Sequence, residues 1–120
     1  LLVFRLGGEQ QLPALTTTVK TLAPPEQTAT QETIGRGKAL YHKYCGACHG
    51  NSAISGGILP DLRYTQMHPV WNQVVVEGLL ESKGMVAFDS VLSEQDAKAI
   101  QAYVIARAHA DKRAMENHRP

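Results

Sequence analysis

With 120 residues, 43% of them hydrophobic and 19% charged, the chain has the composition of an ordinary globular protein with room for one domain. A formal net charge of +1 excludes a broad basic field for nucleic acid and an acidic face for a cationic partner. The longest apolar stretches, such as Val74-Val75-Val76, fall far short of the roughly 20 residues a membrane-spanning helix requires, so a soluble chain without a membrane span is expected.

The chain does not open with Met, and its first six residues are too short and wrongly flanked for a signal peptide, which reads as a fragment or a processed product. Residues 1–8 are apolar and β-rich until Gly7-Gly8 stops them, which predicts a short strand. Nothing nearby pairs with it, and an isolated strand is marginally stable, so its partner is expected in sequence outside this chain. From Leu12 to about Thr33 the chain is rich in Thr, Pro and Gln, and Pro24-Pro25 favours extended backbone. This reads as a linker, able at about 3 Å per residue to cross the face of a neighbouring domain.

A first helix is predicted from Ile34 to about Tyr44, leading directly into Cys45-Gly46-Ala47-Cys48-His49. Residues 51–64 contain Gly56-Gly57 and Pro60 and predict irregular backbone. A second helix is predicted to start near Pro69 and to run past Val76 to about Leu80, with proline at the first helical position. The last helix is the clearest: Ser93 caps it, Asp96 stands three residues on, and Ala97, Ile100, Val104 and Ala108 share one face. The organisation expected is therefore a strand and linker over 1–33, an all-α domain over 34–108 and a polar tail over 109–120. A domain this small has little core of its own, which suits a large apolar cofactor.

Two cysteines in a C-x-x-C arrangement are compatible with a disulfide, half a zinc site, a redox dithiol or haem attachment. Haem attachment needs two thiols spaced to meet two vinyl groups of one porphyrin, and then an imidazole that can turn onto the iron. Cys45, Cys48 and His49 supply that order. The competing readings need more than the sequence offers: a thioredoxin-like site is expected near a βαβ pattern, and a structural zinc site wants a second Cys/His pair. His42, three residues before Cys45, reads as a solvated surface histidine. Arg63, Tyr64 and Trp71 each carry a hydrogen-bond donor and follow the proline loop, so they are candidates to meet haem propionates; Trp71 reads equally as core and Arg63 as a surface charge.

Over residues 34–108 the sequence resembles the class I cytochromes c, a fold of three main helices around one covalently bound haem. Gly37, Tyr41 and Cys45-x-x-Cys48-His49 resemble that family's first helix, and Ile100 and Tyr103 its last. The resemblance implies Cys45 and Cys48 as the attachment points of a single haem c and His49 as an iron ligand. It also implies Pro60 as the residue whose carbonyl supports that histidine, and Met85, in the loop before the last helix, as the second iron ligand. Met67 and Met115 are the competitors. A thioether ligand raises the reduction potential and favours an electron carrier over an oxygen-binding site.

The strand, the Pro/Thr linker, Leu59-Pro60-Asp61-Leu62-Arg63 and Gly84-Met85-Val86-Ala87-Phe88 together resemble the C-terminal part of type II quinohaemoprotein alcohol dehydrogenases. In those periplasmic enzymes a β-propeller that holds pyrroloquinoline quinone (PQQ) and calcium precedes a cytochrome domain. The resemblance implies that residues 1–8 close the propeller, that alcohol oxidation belongs to sequence outside this chain, and that this domain relays electrons to a small soluble acceptor. The alternatives are a free-standing soluble cytochrome and a haem catalyst or gas sensor; the latter needs an open iron position, which Met85 argues against.

Overall fold

The computed structural model describes residues 6–7 and 20–118 and contains helices, turns and extended backbone but no strand among them. The strand expected over residues 1–8 lies outside the described residues, apart from a turn at Leu6 and Gly7. Four α-helices follow: α1 (Gln31–Tyr44), the single turn α2 (Gly46–His49), α3 (Trp71–Val75) and α4 (Glu94–Asn117). Short 3-10 turns at Asn51–Ala53, Leu62–Tyr64, His68–Val70 and Glu81–Lys83 shape the connections.

Helix α1 begins at Gln31, earlier than Ile34, because the Thr30 hydroxyl accepts from the Thr33 amide and caps the first turn. The cap lay hidden in a Thr-rich stretch that otherwise reads as linker. Helix α4 starts as expected, on a capping box in which Ser93 and Asp96 satisfy each other's backbone amides.

Helices α1 and α4 cross at Gly37. A Cβ there would lie 1.8 Å from the Ala99 carbonyl oxygen, so only glycine lets the two backbones come this close. Below the crossing Tyr41 is fully buried, its ring 5.2 Å from that of Tyr103. Tyr41, Ile100, Tyr103 and Val104 form the centre of a core that also takes in Cys45, Trp71, Val75 and Leu92.

Three expectations are corrected. Helix α3 does not run from Pro69 to Leu80: Pro69 sits in a 3-10 turn, the α-helical part ends at Val75, and Gly78 takes a left-handed φ of 75°. The three consecutive valines lose side-chain freedom in a helix, and the Val75 carbonyl accepts instead from the Phe88 amide. Helix α4 does not stop at Ala108 but continues to Asn117, so most of the expected polar tail is helical. Its residues are good helix formers, and Arg107 pairs with Asp111 one turn on. Residues 20–30 do not stand free as a linker: Leu22 is buried, the Gln27 side-chain amide donates to Ala102 O (2.7 Å) and His109 Nε2 donates to Pro25 O (2.7 Å).

The crossing supplies a paired test. In the haem-loaded chain, Gly37→Ala should cost about 3 kcal/mol, at the top of the overpacking range, because its obstacle is backbone that cannot rotate away. Gly35→Ala, two residues earlier with nothing within 4 Å of the new Cβ, should instead gain about 0.5–1 kcal/mol. Denaturant unfolding of both variants checks this, and equal effects would contradict the close crossing.

Candidate functional site

The end of α1 delivers the cysteine motif. Cys45 caps α1 by donating its backbone N–H to Tyr41 O (2.8 Å) and at once opens α2, where the His49 N–H donates to Cys45 O (2.9 Å). One helical turn thus holds both cysteines and the histidine. Both thiols are free, with Cys45 buried and Cys48 exposed. Burial pushes the Cys45 thiol up to about 11, and the nearby Cys48 adds to the rise. A redox dithiol works through a thiol of lowered pKa, so Cys45 is in the wrong environment for that chemistry.

Gly50 ends the turn at φ 78°, where a Cβ would meet Ile54 O at 2.0 Å. The reversal is held by Tyr41, whose hydroxyl donates to Gly50 O (2.7 Å). Burial raises the Tyr41 pKa, so the phenol remains a proton donor. Tyr41 therefore ties the helix crossing to the segment after His49, a task the sequence did not reveal beyond core packing.

His49 is buried, and its Nδ1 lies 3.0 Å from the Pro60 carbonyl oxygen. A carbonyl only accepts, so Nδ1 carries a proton, and in the neutral ring this tautomer keeps the lone pair on Nε2. Met85 is partly buried against the core cluster that contains Cys45. It follows Gly84, whose left-handed φ of 92° ends the Glu81–Lys83 turn, and its amide donates to Leu80 O (3.2 Å). Met67 and Met115 are exposed instead, at 42% and 47%.

The remaining candidates separate. Trp71 is buried, and its one N–H donates to Ala97 O (2.8 Å), joining α3 to α4, which favours its reading as a core residue over that of a propionate partner. Arg63 is not a free surface charge, because its guanidinium binds both carboxylate oxygens of Asp61 (3.0 and 2.6 Å) and Asp111 on α4 (3.2 Å). Burial alone would raise the Asp61 carboxyl, but the hydrogen bonds from Arg63 outweigh it and hold the group below its usual range. Tyr64 is partly buried, with the Arg63 guanidinium 5.5 Å from its ring centre. Asp111 was placed in the polar tail by the sequence reading. The signal that could have found it is its i,i+4 spacing from Arg107, which continues the helix.

The donor set fits a haem: two free thiols within one turn of an imidazole whose Nε2 is free, and a thioether at the same core. In the two loops that carry His49's support and Met85, the large apolar residues Ile54, Leu59, Leu79 and Val86 are exposed. Apolar surface of this kind suits a flat apolar group better than water.

A family described as "Cytochrome C oxidase, cbb3-type, subunit III" matches residues 32–104. The quinohemoprotein alcohol dehydrogenase ADH IIB of Pseudomonas putida is 38% identical over the whole chain, which corresponds to 18% of that protein. The lupanine 17-hydroxylase [cytochrome c] of a Pseudomonas species is 34% identical over 90% of the chain and 16% of that protein. The solved structure of the quinohemoprotein alcohol dehydrogenase ADHIIG from Pseudomonas putida HK5 superposes with a TM-score of 0.72 and 34% identity, over 87% of this chain and 15% of that one. The chain thus spans less than a fifth of the length of these relatives.

Two outcomes follow for the haem-loaded chain. Trp71→Phe keeps an aromatic side chain but removes the donor to Ala97 O and part of the buried ring, and should cost about 1–3 kcal/mol while leaving the reduction potential unchanged. A moved potential at unchanged stability would return Trp71 to the propionates. For Asp61, whose folded pKa is depressed, the stabilisation is complete above the unfolded value of about 3.9 and is lost as pH falls through the lower folded value. Stability measured between pH 5 and 2 should therefore fall less steeply in Arg63→Met, which removes the cause of the depression.

Proposed function

The chain belongs to the cbb3-type cytochrome c family and is a class I cytochrome c domain resembling those of quinohemoprotein alcohol dehydrogenases, and from that premise we propose how it binds its haem and where its electrons go. Cys45 and Cys48 hold one haem c by thioether links. His49 would offer Nε2 to the iron and Met85 its sulfur, while Pro60 keeps the imidazole in the required tautomer. Bound haem supplies a one-electron couple at its iron.

The observation that carries this reading is the His49–Pro60 hydrogen bond, beside two thiols left free. It leaves one nitrogen lone pair at the end of a helix turn that already presents both attachment points. The apolar side chains of Ile54, Leu59, Leu79 and Val86 would pack against the haem and, with it bound, would limit water at the site. Tyr64, and any Arg63 N–H left over from its two carboxylates, are the propionate partners that remain once Trp71 is committed to Ala97.

We further infer that the domain accepts electrons one at a time from reduced PQQ in a calcium-containing propeller of the same polypeptide. It passes them to a small soluble acceptor, in the periplasm. The relatives support this reading, and since the chain spans only a small share of their length, alcohol oxidation would belong to the remainder. By their names those relatives act on alcohols and on lupanine, so one type of cytochrome domain serves unlike substrates. Substrate choice then belongs outside this chain. Among the described residues no helix is long and apolar enough to cross a membrane.

Met85→Ala tests the ligand set. The variant should keep its thioether links, bind CO in the reduced state where the parent does not, and show a lower midpoint potential as the soft sulfur is lost. Unchanged CO binding and potential would exclude Met85 and point to Met67.

A further inference from the structure

The carbonyl that supports His49 belongs to a loop with few ties of its own. Residues 56–60 are exposed, nothing lies within 4 Å of a Cβ built on Gly56 or Gly57, and Ser55 closes the loop locally by donating to Leu59 O. The firm attachments come after Pro60. Asp61 Oδ1 accepts from the Arg63 amide (3.1 Å), its carboxylate takes the Arg63 guanidinium with both oxygens, and Leu62 packs against the core.

The Asp61–Arg63 pair spans only two residues and by itself fixes nothing to the helices. The link to α4 is Asp111, which accepts from Arg63 through Oδ2 (3.2 Å) and from Arg107 through Oδ1 (2.7 Å). The side chains of Asp61, Arg63, Asp111 and Arg107 are 23, 12, 19 and 29% exposed, so this alternating chain of charges is shielded from most of the screening that weakens surface pairs. It crosses 48 residues of sequence to reach the segment that begins one residue after Pro60.

We propose that Asp111 is a positioning residue for the His49 imidazole: through Arg63 it holds the Pro60 carbonyl against His49 Nδ1. The inference rests on the reading of His49 as an iron ligand. Hydrogen-bond strength falls steeply as distance and angle depart from ideal, so loosening the loop weakens the bond. A weaker bond to Nδ1–H makes the imidazole a poorer donor to ferric iron, and the reduction potential rises. Leu62 still anchors the loop to the core, so the fold survives the loss of Asp111.

The test uses the haem-loaded chain with Asp111→Ala and Asp111→Asn. Asn removes the charge but keeps an oxygen that accepts from Arg63. In the reduced proteins, NMR follows hydrogen exchange of the His49 Nδ1–H beside that of the α1 amides. Asp111→Ala should exchange the ring proton about tenfold faster or more, at unchanged α1 amides, with a raised midpoint potential. Asp111→Asn should stay closer to the parent in ring exchange. Unchanged ring exchange in Asp111→Ala overturns the proposal, even if the potential moves, because a potential shift alone is what lost charge produces. Faster exchange throughout α1 overturns it as well, since that is general loosening. If the parent shows no haem-shifted His49 ring resonances, the ligand reading fails before any variant is made, and the positioning role with it.

Discussion

A neutral imidazole offers Nε2 to a metal only in the tautomer whose proton sits on Nδ1, and in this chain His49 Nδ1 is directed at the Pro60 carbonyl, 3.0 Å away. Much of the architecture serves that contact. The glycine at position 37 lets α1 settle on α4, which fixes where Cys45, Cys48 and His49 emerge. Tyr41 braces the reversal after His49 by donating to Gly50 O. From the other side, Asp61, Arg63 and Asp111 fasten the segment following Pro60 to the same helix. Helix α4 is thus the common reference for both halves of one hydrogen bond.

The same helix carries eight buried side chains, from Ala97 to Ala108, and the core they form with Tyr41 and Trp71 is small. Exposed apolar residues in the loops around the site show what a core of protein alone leaves uncovered. A covalently held haem would complete that interior as well as perform the chemistry, which couples folding to cofactor attachment. Buried in that core, Cys45 contributes to packing as well as to linkage.

How much of this was legible in the sequence depended on whether the signal was local. The capping box at Ser93 and the Ala97, Ile100, Val104, Ala108 stripe are local, and α4 begins and packs where they indicate. The cysteine motif is local too, and the family comparison agrees with the class it implied. Failures came where tertiary contacts or weak signals decided. Three valines and a proline suggested a longer second helix, yet Val75 O turned to Phe88. The polar residues after 108 looked like a tail because helix continuation there rests on propensity and an i,i+4 pair rather than on a hydrophobic face. Trp71 carries a single donor, and nothing in the sequence said that Ala97 O, 26 residues away, would take it.

The account stands on one covalent haem at Cys45 and Cys48. Its most direct test is mass analysis of the tryptic peptide spanning residues 44–63, from chain produced in a host that matures c-type cytochromes. The account predicts that this peptide carries the mass of one haem, linked to both cysteines. The same peptide recovered with two free thiols, or with a disulfide between them, would contradict it.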